Sequence, residues 1–161
     1  MSNIVLTRPR TFAAKRSFAI VASLYNPKYV QGLVDHACKE IYASIPSAAI
    51  SLNQVPGAFE IPLLVQELAR KGGYDAILAL GVIIEGETSH ASYIGMVVSQ
   101  SLMKISLEFR IPVVHEVLSV KNEEQADQRC LQETFNRGTE AARVALQFSN
   151  VFSDFKEKHG N

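Results

Sequence analysis

Four times along this chain a short apolar run gives way to a segment whose apolar residues recur at every third or fourth position. The runs are SFAIVASL (17–24), AAISLNQV (48–55), DAILALGVII (75–84) and IPVVHEVLSV (111–120). Nothing between them is short enough, or rich enough in turn residues, to read as a hairpin. Each connection must therefore cross over the sheet on a helix and bring the next strand in parallel. That alternation predicts an α/β fold, with a four-stranded parallel sheet covered by helices on both faces. Near-continuous rather than alternating apolar runs agree with strands buried on both sides. DAILALGVII, apolar almost throughout, is expected at the centre.

The helical segments are legible from their stripes. Val30, Leu33, Val34, Ala37, Cys38 and Ile41 fall on one face of a helix starting near Pro27, where proline suits the first turn. Leu63, Leu64, Leu68 and Ala69 belong to a second helix, ended by Gly72-Gly73. A long helix carries Ile94, Val97, Val98, Leu102 and Ile105. Asn122 with Gln125 resembles a capping pair opening a short helix. The last helix sets Ala141, Val144, Ala145, Phe148 and Phe152 on one side. Residues 1–16 are polar and basic and are expected to form an arm, 17–155 a single domain, and 156–161 a solvated tail.

Sixteen lysines and arginines balance sixteen aspartates and glutamates, so no overall field points to nucleic acid or to an acidic membrane. No apolar run reaches membrane-spanning length. Cys38 and Cys130 follow no redox or zinc spacing and read as buried or half-buried thiols, which fits a reduced, cytoplasmic setting.

In an open parallel sheet, ligands bind beyond the carboxyl ends of the strands. Four segments converge on that rim: Tyr25-Asn26, Ala58-Phe59-Glu60, residues 82–90, and the residues following His115. The stretch GVIIEGETSH (81–90) nearly matches the phosphate loop G-x-x-x-x-G-K-[ST], with Gly81, Gly86 and Thr88 in frame. The lysine position, however, holds Glu87. Such a turn running into a helix can still hold an anion through the amides of Gly86, Glu87 and Thr88 and the Thr88 hydroxyl. Glu85 and Glu87 must then face away, and a cation must come from elsewhere, Arg129 and Arg137 being the candidates. His90, in the first turn of the long helix, is placed for proton transfer, the plainer alternative being a capping or surface histidine. His115, flanked by valines, reads as a satisfied, half-buried ring. Tyr25, Phe59 and Glu60 could form an aromatic wall with a carboxylate for ring N–H groups. No histidine pair has the spacing of a zinc helix, so no metal is expected.

Five blocks in order, VPGAFEIP (55–62), GVIIEGETSH (81–90), PVVHEVLSV (112–120), NEEQADQR (122–129) and NRGTEAARVAL (136–146), resemble the lumazine synthase family. The similarity runs from about Phe18 to about Phe152. It implies a flavodoxin-like three-layer α/β/α sandwich without a cofactor. The activity it implies condenses 5-amino-6-(D-ribitylamino)uracil with 3,4-dihydroxy-2-butanone 4-phosphate to 6,7-dimethyl-8-ribityllumazine, the penultimate step of riboflavin biosynthesis. It places His90 as the proton-transfer residue and Arg129 on the substrate phosphate, with Gly86, Glu87 and Thr88 beside it. Tyr25, Asn26, Ala58, Phe59, Glu60, Val82, Ile83, Ile84 and His115 would line the pyrimidine and ribityl pocket.

The implied assembly is a pentamer with sites between subunits, able to associate further into decamers or sixty-subunit shells, with riboflavin synthase as a candidate partner. The arm, carrying Ile4, Val5, Leu6, Thr11 and Phe12, would then pair with a neighbour's sheet. Arg129 and His90 would come from one subunit and Phe59 from the next, or a similar split. The chain departs from the family pattern at Glu85, Ala91-Ser92, His115 and CLQETFNRG (130–138). A catalytically weak lumazine- or flavin-binding or shell-forming protein is the alternative reading.

Overall fold

The computed structural model describes residues 6–9 and 15–160. The strands are β1 (Ser17–Ser23), β2 (Ala49–Val55), β3 (Ala76–Ile84) and β4 (Val113–Val120), all parallel, in the spatial order β2-β1-β3-β4. The helices are α1 (Pro27–Ser44), α2 (Ile61–Lys71), α3 (His90–Phe109), α4 (Glu123–Cys130) and α5 (Arg137–His159). This is the expected flavodoxin-like α/β arrangement, and β3 sits inside the sheet with β1 as its neighbour. β2 and β4 are the edges.

Two apolar layers hold the sheet. Phe18, Ile20, Leu78 and Leu80 point toward α1 and α5, meeting Leu33, Ile41 and Leu146. Ala19, Val21, Ile77 and Ala79 point the other way, meeting Val65, Val98 and Leu102 from α2 and α3. Burying one such side chain is worth roughly 1.5–3 kcal/mol, so these stripes dominate the choice of partner for each helix. α4 lies on the α1 side, and a Cβ on Gly32 of α1 would stand 2.4 Å from the Cys130 carbonyl oxygen. Only glycine permits that approach.

Chain reversals follow local rules. Gly72 and Gly73 end α2 with φ of 75° and 86°, a region that favours glycine. Asn122 Oδ1 accepts a hydrogen bond from the Gln125 amide at 3.0 Å, as the capping pair predicts. Asn26 takes the left-handed conformation (φ 55°) between β1 and α1, which asparagine tolerates better than most residues.

At its N-terminal end the chain is tied to the domain: Arg8 makes a bidentate pair with Glu40 of α1, and Arg143 of α5 donates to the Leu6 carbonyl at 2.7 Å. A buried carboxylate on α1 supplies the anchor that the arm's own composition could not reveal. Leu6 is not in a strand, and Ile4, Val5, Thr11 and Phe12 lie outside the described residues. At the other end α5 continues to His159, because a polar sequence can extend a helix already nucleated by packing.

Candidate active site

The strand order reverses between β1 and β3, the crevice where open α/β sheets bind ligands. A cleft of about 430 Å³ opens there. Ser23, Tyr25 and Asn26 line it from the end of β1, and Gly57, Ala58, Phe59 and Glu60 from the turn before α2. Val82, Ile83 and Ile84 contribute the end of β3, Gly86 and Thr88 the following loop, and His90, Ala91 and Ile94 the first turns of α3. A broader hollow of about 790 Å³ follows α3 between Ser99 and Glu108. It is lined from that one helix and collects no convergent polar groups, so the smaller cleft is the better candidate.

The cleft is built by short-range contacts. Asn26 Nδ2 donates to the Val82 carbonyl at 2.8 Å, tying the ends of β1 and β3 together. One of its amide protons is thereby engaged while the residue still lines the cleft, as expected. Leu24 and Tyr25 amides donate to the carbonyls of Val55 and Pro56. Glu60 Oε2 accepts from the Gly57 amide at 2.9 Å and so fixes the turn. Tyr25 and Phe59 are exposed aromatic rings at the mouth, the geometry of a wall for a flat ligand.

At the other end of the cleft, α3 starts at His90 and runs for 20 residues, leaving its first amides without helical partners. The His90 amide leans on Thr88 Oγ1 at 3.4 Å. Glu85 and Glu87 are exposed and do not line the cleft, which removes the main electrostatic objection to an anion there. It also means that Glu87 offers the cleft no side chain.

No lysine or arginine lines this cleft among the described residues. Of the two candidate cations, Arg137 is engaged: its Nε donates to Glu116 at 2.7 Å, and its Nη1 pairs closely with Glu140. Glu116 is 5% exposed, and burial pushes its carboxyl up to about 7 despite the guanidinium beside it. Arg129 meets only the Gln125 carbonyl, at 3.2 Å, and no carboxylate among the described residues. It is the cation left available, but α4 carries it in the α1–α5 layer and away from the cleft lining.

His115 also stands apart from the cleft. It occupies the edge strand β4, opposite Ala79, with Nε2 2.7 Å from Ser99 Oγ of α3. The ring is satisfied, as expected, but the residue is exposed rather than half-buried, because no strand flanks β4 on its outer side. What contact it has with α3 removes enough water to lower its pKa.

His90 and Phe59 therefore share one cleft of one chain, and Arg129 lies elsewhere on it. His90 and Phe59 are close because α3 and the turn before α2 pack on the same sheet face. Sequence reasoning missed Ser23, a small polar residue closing an apolar strand, for which only its rim position could have been a signal. Among the described residues no helix is long and apolar enough to cross a membrane. The family model described as 6,7-dimethyl-8-ribityllumazine synthase matches residues 15–153 of the 161. The chain belongs to that family.

Proposed function

We propose that this member of the lumazine synthase family condenses 5-amino-6-(D-ribitylamino)uracil with 3,4-dihydroxy-2-butanone 4-phosphate to 6,7-dimethyl-8-ribityllumazine. The observation that carries the reading is the cleft at the β1/β3 reversal. In it an exposed aromatic pair, a turn with a carboxylate and the open start of a 20-residue helix with His90 face one space.

The chemistry asks for little more. The pyrimidine amine attacks the ketone carbon, a C–N bond forms and water leaves. A proton is taken from the adjoining carbon and the C–O bond to phosphate breaks. The enol left behind loses its hydroxyl proton and takes one up on its terminal carbon to become a methyl ketone, and the ribityl-bearing nitrogen closes on that carbonyl with loss of water. Each step moves a proton, and His90 at the cleft wall is the group to carry it. Holding both substrates in one small space supplies much of the remaining acceleration.

The phosphate calls for a cation, and among the described residues none lines the cleft of one chain. Arg129, which meets no carboxylate among the described residues, supplies it from a second copy as a bidentate fork. His115, exposed at the sheet edge, reaches the same neighbouring cleft. The apolar face left open on α3 by Tyr93, Met96, Met103 and Leu107 supports association of this kind, with the pentamer as the basic unit.

Turnover of the two substrates by the purified chain, followed through lumazine fluorescence beside a light-scattering mass, is the test. Product formation by an oligomer supports the reading. Ligand binding without product assigns the chain to a binder instead, and an active monomer sinks the shared site.

A further inference from the structure

Ser23 ends β1 on the sheet face that carries Ala19 and Val21, and it lines the cleft. It is 2% exposed, and its Oγ has no hydrogen-bond partner in the structure. Buried hydroxyls are almost always partnered, because leaving one bare forfeits the bonds it makes to water. The surroundings preserve the space beside it. On the neighbouring strand a Cβ at Gly81 would stand 3.2 Å from Ser23 Oγ, and Gly57 and Ala58 bring small residues to the same cleft. An apolar residue would serve the core at least as well as a bare serine, so the hydroxyl needs another purpose.

We infer that Ser23 is a substrate-binding residue whose hydroxyl takes a neutral hydrogen-bonding group of the ligand at the bottom of the cleft. A hydroxyl both donates and accepts, which matches an amide edge of a heterocycle or an alcohol. It does not suit a phosphate, whose charge calls for the helix start and a guanidinium. The two substrates are thereby sorted: the uncharged one reaches Ser23, and the phosphate stays at the end of the cleft near Thr88 and His90. This assignment rests on the catalytic reading above and adds to it a contact for the pyrimidine substrate.

The full-length protein and its Ser23→Ala variant should be titrated with 5-amino-6-(D-ribitylamino)uracil and with the same ring lacking the ribityl chain. KM for each substrate and resistance to urea should be measured beside them. The variant should bind the ribityl compound about tenfold more weakly, hold KM for the butanone phosphate within about twofold, and resist urea as well as or better than the parent. An equal loss with the chainless ring places the contact on the ring; a loss confined to the full compound places it on the chain. Unchanged affinity, or lower stability with both substrates weakened alike, overturns the assignment of Ser23 alone. A parent protein that binds neither compound overturns the catalytic reading and this assignment with it.

Discussion

Replacing Glu40 with glutamine should destabilise the protein in a way that depends on pH. Glu40 is 5% exposed on α1, and its carboxylate accepts from Arg8 Nε and Nη2 and from Arg143 Nε, each at 2.9 Å. The hydrogen bonds from Arg8 hold its carboxyl down to about 2, against an ordinary 4.5. A shift of that size corresponds to roughly 3 kcal/mol at about 1.4 kcal/mol per unit. Half of Arg8 lies in solvent, which screens part of this, so about 2 kcal/mol is the expected loss at neutral pH. The sign follows from proton binding. A carboxylate with a depressed pKa stabilises the fold fully above its unfolded value, near 4.5, and ceases to as pH falls through about 2. Urea unfolding of parent and Glu40→Gln at fixed chain concentration should show a gap that is widest above pH 5 and nearly closed by pH 2. A gap that persists undiminished at pH 2 would refute the electrostatic account, leaving packing as the cause.

His90→Ala should lower turnover by roughly ten- to ten-thousand-fold with the circular dichroism spectrum unchanged, the range usual for a general acid–base group. Unaltered turnover removes His90 from the mechanism. Arg129→Ala should raise KM for the butanone phosphate by an amount on the order of 2–4 kcal/mol while sparing the pyrimidine, and Arg137→Ala should do so far less because its charge is already shared by two carboxylates. Equal effects from both would contradict that division. Glu116, held near 7 by burial, keeps its proton to higher pH in the folded than in the unfolded chain, so its ionisation costs stability as pH climbs from about 4.5 to 7. Glu116→Gln should therefore gain on the parent over that interval, read as a urea midpoint difference that grows between pH 5 and pH 8.

Burial on both faces made β1 and β3 legible as long apolar runs, while the partly exposed edge strands β2 and β4 kept enough apolar residues to be read beside them. Helix stripes were legible for the same reason, as was the Asn122 cap, which is a contact three residues long. The site was readable where a motif ran along one segment, as in residues 81–90 and 55–62. It was not readable where partners come from distant strands. Nothing near Arg137 in sequence, apart from Glu140, says that Glu116 will occupy it, and nothing near Arg129 says that it will stay free. The arm escaped for a similar reason: its anchor, Glu40, looks like one more exposed helix residue until α5 brings Arg143 beside it. Burial of Ser23 depends on which strand lies next to β1, a fact of topology that no local window contains.

The side chain of Asn26, laid across from β1 to the Val82 carbonyl, bears on how fast a ligand can arrive. Its left-handed backbone and its hydrogen bond fix the two sides of the crevice relative to each other before anything binds. Glu60 does the same for the opposing turn. A ligand entering such a frame meets a crevice already tied at these two points, and its capture is expected to be limited by encounter rather than by rearrangement. Loosening the frame with Asn26→Ala would turn a single-step association into one that saturates with ligand concentration, and stopped-flow fluorescence would separate the two.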